Sequence, residues 1–294
     1  MAGKAWPSGL RCEICAGPLH TWQLDGRNAV NRCTDCGHVS RDIARAPAGA
    51  RSPAYGGEAS LDRWRLAVTY RRLVRRLQPR GARVFEVGFG AGALLRRFLD
   101  DGAIVAGADP GALAVAVDPV VTAHATLHTT SLESLPRQDP VDLVIAVHVV
   151  EHVADPAQFA RTCYDLLRPG GQLVLVTPAG DSASLGVFRS RWWMLEDPTH
   201  VRFFSARSIS RLLRESGFAD VQISRLVLDS LTVDAASCMR ALRWRHLPRD
   251  GVLASPATQV LAVLSAPVVI LIRLLRSAMR PAMEVAARRP ERSG

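Results

Sequence analysis

The sequence has no apolar stretch behind its first methionine. Ala2-Gly3-Lys4-Ala5-Trp6-Pro7 offers none of the hydrophobic length a secretory leader needs, so export is not expected. Its six cysteines are therefore read as reduced thiols and not as a disulfide framework. There is no internal repeat, which excludes solenoids and blade arrays. Acidic residues are in deficit, with 27 Asp and Glu against 37 Lys and Arg, for a formal net charge of +10. Nearly all of the positive charge is arginine. That excess suits an anionic partner such as nucleic acid, a phosphorylated substrate or an acidic lipid surface, and it suits a solvated basic surface equally well. Hydrophobic residues make up 48% of the chain, enough for a real core, so wholesale disorder is excluded. A length of 294 residues accommodates one ordinary domain and a small appendage.

What the chain does contain begins with a spacing. Cys12-x-x-Cys15 and Cys33-x-x-Cys36 are separated by seventeen residues, the two-knuckle pattern of a tetrahedral four-thiolate zinc site. Gly17 and Gly37 follow the pairs, where tight turns favour a small residue. Residues 1–45 are too few to bury a core, so bound metal would supply most of their folding free energy. Four thiolates leave no open coordination position, which makes the expected zinc structural. Cys163 and Cys238 read as ordinary buried residues. Residues 46–57 read as a linker. A helix should follow from about Ser60 to Leu77, with Trp64, Leu66, Leu73 and Leu77 among its apolar stripe and arginines over the rest.

From Arg83 onward short apolar runs alternate with helical patterns. Strands are expected near 83–88, 103–108, 124–129, 141–147, 172–177 and 219–227, and helices near 91–101, 111–117, 156–168 and 205–216. That alternation is the signature of a parallel sheet covered on both faces. Residues 178–203 are too long for a simple connection, and loops of that length usually carry function.

The run Val84-Phe85-Glu86-Val87-Gly88-Phe89-Gly90-Ala91-Gly92 closes a strand and opens a helix. Glycines there let the backbone approach a ligand that side chains would block. Taken alone, Gly88-x-Gly90-x-x-Ala93 also satisfies a dinucleotide fingerprint. Glu86 argues against that, because a carboxylate beside the turn suits a cationic amino group and repels a pyrophosphate. Asp109 ends the next strand, where its carboxylate can accept both hydroxyls of a ribose. Two further elements complete the pattern: the strand from Val141 that runs into His148-Val149-Val150-Glu151-His152, and Leu166-Leu167-Arg168-Pro169-Gly170-Gly171 before another strand.

Over residues 58–228 this combination resembles the class I S-adenosylmethionine-dependent methyltransferases, with their E-x-G-x-G-x-G motif, their "EH" turn and their "L-x-P-G-G" turn. The resemblance implies an α/β fold: a Rossmann-like, seven-stranded class I methyltransferase sheet, here with a zinc-ribbon-type module in front. It implies S-adenosylmethionine as cofactor over the carboxyl ends of the first strands. Glu86, Gly88, Phe89, Gly90 and Gly92 would line its methionine part together with His148. Asp109 would hold the ribose, and Leu132 or Glu133 would border the adenine.

A sulfonium methyl is already electrophilic, so such an enzyme chiefly aligns donor with acceptor and excludes water. A hydroxyl or acidic-carbon acceptor also needs a base, and His148, His152 and His200 qualify by location. Pro198-Thr199-His200-Val201-Arg202-Phe203-Phe204-Ser205 is similar to a P-x-H-x-x-x-F-S element of deoxysugar C-methyltransferases that also carry a zinc knuckle, in which this histidine is a proposed base. Those enzymes carry a further large C-terminal domain that is not read in these 294 residues, so a deoxysugar acceptor is not expected. Ubiquinone-type O-methyltransferases carry an E-x-x-E-H turn thought to hold a divalent ion; here His148 stands at its first position, so metal is not expected with Glu151 and His152. Trp192 and Trp193 could wall an acceptor pocket or pack as a lid.

Residues 251–272 form an uncharged apolar run, long enough on paper to span a bilayer. Pro256 and Pro267 are expected to interrupt it. The resemblance makes Ala282 to Arg288 the last strand of the sheet, so both ends of the run must return to the same side of any membrane. The expected organisation is a zinc knuckle (1–45), a linker (46–57), a cofactor-binding core (58–228), a hydrophobic helical insertion (229–280), and the last strand and tail (281–294). The insertion is expected to lie on a membrane surface, flanked by Arg240, Arg243, Arg245, Arg249, Arg273, Arg276 and Arg280, to form a homodimer contact or to cap the site, with plain core packing an equal alternative. The expected activity is O- or C-methylation of a small-molecule, saccharide or lipid-linked acceptor, in the cytoplasm or at the inner membrane face. Two alternatives stand beside it: an RNA methyltransferase using the basic surface, and a non-catalytic zinc-binding adaptor. No Asn/Asp-Pro-Pro-Tyr-type tetrapeptide supports base methylation, and the arginines are spread over the whole chain, so nucleic acid is not the expected partner.

Overall fold

The computed structural model describes residues 11–26, 28–42, 59–111, 115–242 and 256–291. The expected linker at 46–57 lies outside the described residues, as do Arg243, Arg245, Arg249, residues 251–255 and the last residues of the tail.

The chain opens with an antiparallel meander, β1 (Leu19–Gln23), β2 (Ala29–Cys33) and β3 (Val39–Ser40), which carries the two cysteine pairs at its turns. After α1 (Ala59–Leu73) come β4 (Arg83–Val87), α2 (Ala93–Asp100), β5 (Ile104–Ala108), α3 (Pro119–His124), β6 (Thr126–His128) and β7 (Val141–Val147). Then follow α4 (Pro156–Leu166), β8 (Leu167–Pro178), α5 (Ala183–Phe188), β9 (Arg202–Phe203), α6 (Ala206–Glu215), β10 (Ala219–Arg225), α7 (Leu231–Ala241), α8 (Pro256–Leu275) and β11 (Ala282–Arg288).

Seven strands build the main sheet in the order β10-β11-β8-β7-β4-β5-β6. The last five of these are parallel, and β11 runs antiparallel to both β8 and β10. The chain leaves β4 toward β5 and β6 on one side and returns with β7 on the other. At such a reversal the connecting loops diverge and open a crevice at the carboxyl ends of the strands. The strands are apolar because both faces are covered. On one face Leu94, Leu95 and Phe98 of α2 pack with Tyr70 and Leu73 of α1, and on the other Phe159 and Cys163 of α4 pack with Ile209 and Leu213 of α6.

Several sequence expectations need correction. The helix expected near 111–117 is instead α3, because Asp118 caps it by accepting from the amides of Val120 (2.8 Å) and Val121 (3.4 Å), and Pro119 supplies the fixed φ of a first turn. The Pro169-Gly170-Gly171 turn is drawn into β8, where Leu167 already pairs with Val141 before a register shift. Trp64, expected in the apolar stripe of α1, is 44% exposed, whereas Arg72 and Arg76, expected toward solvent, pair with the buried Glu284 of β11 at 3.0 and 3.1 Å. Cys238 is exposed on α7 and Cys163 is buried. Pro267 does not interrupt α8, which runs continuously through it. It sits on the outer face of the helix, where the carbonyl it leaves unbonded can reach water.

The meander is not isolated from the core. β9, from the long loop after β8, adds to its edge with Val39 opposite Phe203 and Ser40 opposite Arg202, making a four-stranded sheet.

Candidate active site

Two turns meet at the carboxyl ends of β4 and β7. In the first, Gly88, Gly90 and Gly92 have φ of 73°, 52° and 78°, the left-handed region that L side chains rarely enter. Gly88 is constrained twice over, since a Cβ there would stand 2.6 Å from Cγ2 of Val149 in the second turn. Phe89 folds back and is buried across Gly107, where a Cβ would lie 2.9 Å from its ring. Gly107 escaped the sequence reading, although a glycine inside an apolar strand is the usual sign of close approach.

Asp109 ties the first turn to the end of β5. Its Oδ2 accepts from the amide of Gly90 at 2.9 Å and its Oδ1 from the amide of Gly111 at 2.8 Å. Each carboxylate oxygen keeps a second lone pair, so these bonds orient the group and leave acceptor capacity for hydroxyls. Glu86 is buried, and its Oε2 has no hydrogen-bond partner among the described residues. Burial pushes its carboxyl well above the usual range; the Leu95 amide opposes this, nearby Asp109 adds to it, and Arg65 of α1 counteracts it. A buried, unsatisfied carboxyl beside an open glycine turn is a fit for a cationic amino group. Leu132 is buried in a short helical turn over residues 132–134, with Glu133 exposed next to it.

The second turn follows β7. His148, at φ 56°, is held between two carboxylates with its side chain 13% exposed: Nδ1 lies 3.1 Å from Oε1 of Glu151 and Nε2 lies 3.5 Å from Oδ1 of Asp229. Burial works to lower its pKa, but the two carboxylates outweigh that and raise it above the ordinary histidine value. Glu151 is fully buried and also accepts from the Thr177 hydroxyl at 3.0 Å. Burial works to raise it, yet the His148 hydrogen bond and the charges of the neighbouring histidines bring it down to about 2. Asp229, also held below the usual carboxylate range, lies just past β10 at the start of the helical insertion, and nothing local in the sequence marks it.

His200 and His152 complete the cluster, their rings 4.6 Å apart. Nδ1 of His200 lies 2.7 Å from the Met194 carbonyl, to which it must donate, and its Nε2 faces Glu151 at 4.0 Å and Asp197 at 3.9 Å. Burial and the charge of His152 push His200 down to about 3, so it is neutral near pH 7. His152 Nδ1 lies 3.0 Å from the Thr199 carbonyl. The three histidines chosen from the sequence thus all surround Glu151. Trp192 and Trp193 are buried with Phe203 and Val233, as packing.

The four paired cysteines also converge. Cys12 and Cys36 bring their sulfurs to 3.7 Å, Cys15 and Cys33 to 3.4 Å, and all four lie within 4.8 Å of one another. Zinc–sulfur bonds of about 2.3 Å put tetrahedral sulfurs about 3.8 Å apart, so the donor set fits that ion. The left-handed residues of the two knuckles are Ala16 and Gly37. Gly17 is needed for a different reason, since a Cβ there would collide with Asp35.

A methyltransferase-domain family model matches residues 62–223, more than half of the chain. The chain belongs to the S-adenosylmethionine-dependent methyltransferases. Among curated relatives, it is 29% identical over 184 residues to the ubiquinone biosynthesis O-methyltransferase of Dinoroseobacter shibae, covering 57% of this chain and 72% of that one. It is 33% identical over 180 residues to a Mycolicibacterium smegmatis protein named "Probable S-adenosylmethionine-dependent methyltransferase", covering 61% and 65%. The matched share of the relative's own length is 72% for the Dinoroseobacter shibae protein and 40% for the ubiquinone biosynthesis O-methyltransferase of Bradyrhizobium sp.. Among solved structures, the Haemonchus contortus phosphoethanolamine N-methyltransferase 2 complex with S-adenosylhomocysteine superposes with a TM-score of 0.53 at 17% identity, covering 76% of this chain and 53% of that one. The methyltransferase fold is thereby shared.

Proposed function

We propose that this methyltransferase transfers a methyl group to a hydroxyl oxygen of a small-molecule acceptor, with His148 taking the proton. The observation that carries the reading is the placement of His148 between Glu151 and Asp229, at the turn that touches Gly88. When bound, S-adenosylmethionine supplies an electrophilic sulfonium methyl. Glu86 would ionise against its amino group, and Asp109, already oriented by two amides, would accept the ribose hydroxyls. Leu132 would pack beside the adenine.

His148 would give its Nδ1–H to Glu151, leaving Nε2, beside Asp229, as the basic nitrogen. An acceptor hydroxyl hydrogen-bonded there would pass its proton to Nε2, and the resulting imidazolium is stabilised by both carboxylates. His200, the base that the likeness to deoxysugar C-methyltransferases implies, is placed differently. Its locked Nδ1–H and strongly lowered basicity suit a positioning role instead: it packs on His152 and faces Glu151 from behind. Oxygen as the acceptor atom draws support from relatives named as O-methyltransferases. Saccharide and lipid-linked acceptors remain within the same class. RNA methylation and an adaptor role have no comparable support.

We further assign zinc to Cys12, Cys15, Cys33 and Cys36, in a knuckle spanning residues 1–45 ahead of a core at 58–228 and an insertion at 229–280. Free thiols and a thiolate metal site suit the reducing cytoplasm.

The test is incubation of zinc-loaded protein with methyl-labelled donor and fractionated cell extract. The reading predicts alkali-stable label, as an ether, in the small-molecule or lipid fraction, lost in a His148→Asn variant. Label entering RNA would overturn it.

A further inference from the structure

α8 is 20 residues long, has a mean hydropathy of 2.1, and is apolar on the side that faces away from the protein. Val260, Val263, Leu264, Val268, Leu271 and Leu275 follow the three-and-four spacing of one helical face, and each is more than half exposed; Val263 and Leu264 reach 73%. The inner side is anchored near both ends. Thr258 is fully buried, and fifteen residues later Arg273 is 1% exposed. The Arg273 guanidinium pairs with Asp234 of α7 at 2.7 Å and donates to the carbonyls of Val227 and Asp229 at 3.0 and 2.9 Å. With Thr258 and Arg273 both buried, the helix lies along the surface of the fold. Its one charged residue is turned inward, so the outer face carries no charge over about 30 Å of helix. Arg276, exposed, stands just past the stripe.

We propose that this face docks onto an anionic lipid bilayer. An exposed apolar face of this length marks an interaction surface. A second copy would bring together two chains of +10 net charge, with an Arg276 beside each stripe. An anionic bilayer takes the apolar stripe among its acyl chains and the arginines among its headgroups. The position of the helix adds to the argument. β10 runs parallel to β8, so the turn that Arg273 grips, residues 227–230, lies at the same edge of the sheet as Gly88 and His148. The carboxylate of Asp229 in that turn faces His148. On the proposed methyl-transfer function, docking would set the edge that carries Gly88 and His148 against the lipid and favour an acceptor dissolved in it.

Flotation of the full zinc-loaded protein with vesicles tests the docking without reference to methyl transfer. Phosphatidylcholine vesicles containing phosphatidylglycerol are expected to carry it to the top of the gradient. A Val263→Glu/Leu264→Glu/Leu271→Glu variant should lose at least about tenfold in vesicle partitioning, since buried apolar area and basic charge set the binding strength. The same variant should keep its helix content and its affinity for S-adenosylhomocysteine, because none of the three residues touches the fold's core or the cofactor turn. Wild-type protein remaining at the bottom of the gradient would overturn the proposal. So would equal flotation of the variant, equal flotation on phosphatidylcholine alone, or a stable dimer in sedimentation that the variant abolishes without any vesicle binding.

Discussion

Arg202 closes on the carboxylate of Glu13 with two hydrogen bonds of 2.8 Å, one through Nε and one through an outer nitrogen. Glu13 lies between the first two cysteines and Arg202 lies two residues after His200. The same guanidinium donates to the carbonyls of Val153 and Ala154, just past the turn that carries His148, Glu151 and His152. Arg41 reaches from the meander to the carbonyls of His200 and Asp197. The cysteine knuckle is thus a brace for the loop that carries His200 and, through it, for Glu151.

Removing the metal should therefore affect catalysis at a distance. Chelation of a loaded sample is expected to lower thermal stability and turnover together, with cofactor affinity affected less, because the glycine turn is held by β4 and β5. Arg202→Met should destabilise the fold by about 2–4 kcal/mol, since it leaves two carbonyls without their donor and the Glu13 carboxylate with His38 alone. Urea unfolding of the holo-protein measures this. An unchanged midpoint would refute the brace.

Glu86 makes cofactor affinity depend on pH in a definite direction. Its carboxyl is raised in the empty site and must ionise to meet a cationic amino group, so binding releases a proton. Affinity should rise with pH until the raised value is passed, and then level off. In the ligand-free protein the sign is opposite. The raised carboxyl favours the fold below its unfolded value, and that contribution is lost as pH climbs through the folded one. Calorimetry in two buffers of different ionisation heat should show the proton release, and Glu86→Gln should abolish it while weakening binding by roughly tenfold or more.

Gly88→Ala tests the close approach of the two turns. The left-handed backbone alone costs about 1–2 kcal/mol, and the new methyl must displace Val149. The expected result is a folded protein, by circular dichroism, whose cofactor affinity falls by more than about tenfold.

His148 and His200 should separate in their pH profiles. A base held between two carboxylates places the acidic limb of kcat above the ordinary histidine value. His148→Asn should lower kcat by about 10²–10⁴ with little change in cofactor binding. His200→Gln should reduce stability and kcat but leave that limb in place. A limb that shifts with His200 instead would reverse the assignment.

Local pattern was enough for much of this. Val141–Val147 and Ala282–Arg288 were read at their observed bounds because continuous apolar runs and the family likeness agree there. The cysteine spacing and the glycine turn were legible because their chemistry is local. What escaped depends on contacts distant in sequence. β9 is two residues long and exists only because the meander offers it an edge. Asp229 has no motif around it and acquires meaning only where the turn after β10 meets His148. Arg273 looked like a flanking positive charge and is an internal anchor, a distinction set by Asp234 on a neighbouring helix. The helix near 111–117 was misplaced because the apolar count outweighed Asp118-Pro119, the stronger start signal.

Titration calorimetry of S-adenosylhomocysteine into the zinc-loaded protein tests the central claim most directly. One site per chain, with heat that vanishes in Gly88→Ala and a proton released that depends on Glu86, is the predicted result. Folded, metal-replete protein that gives no heat with either this nucleoside or its methylated form would contradict the account.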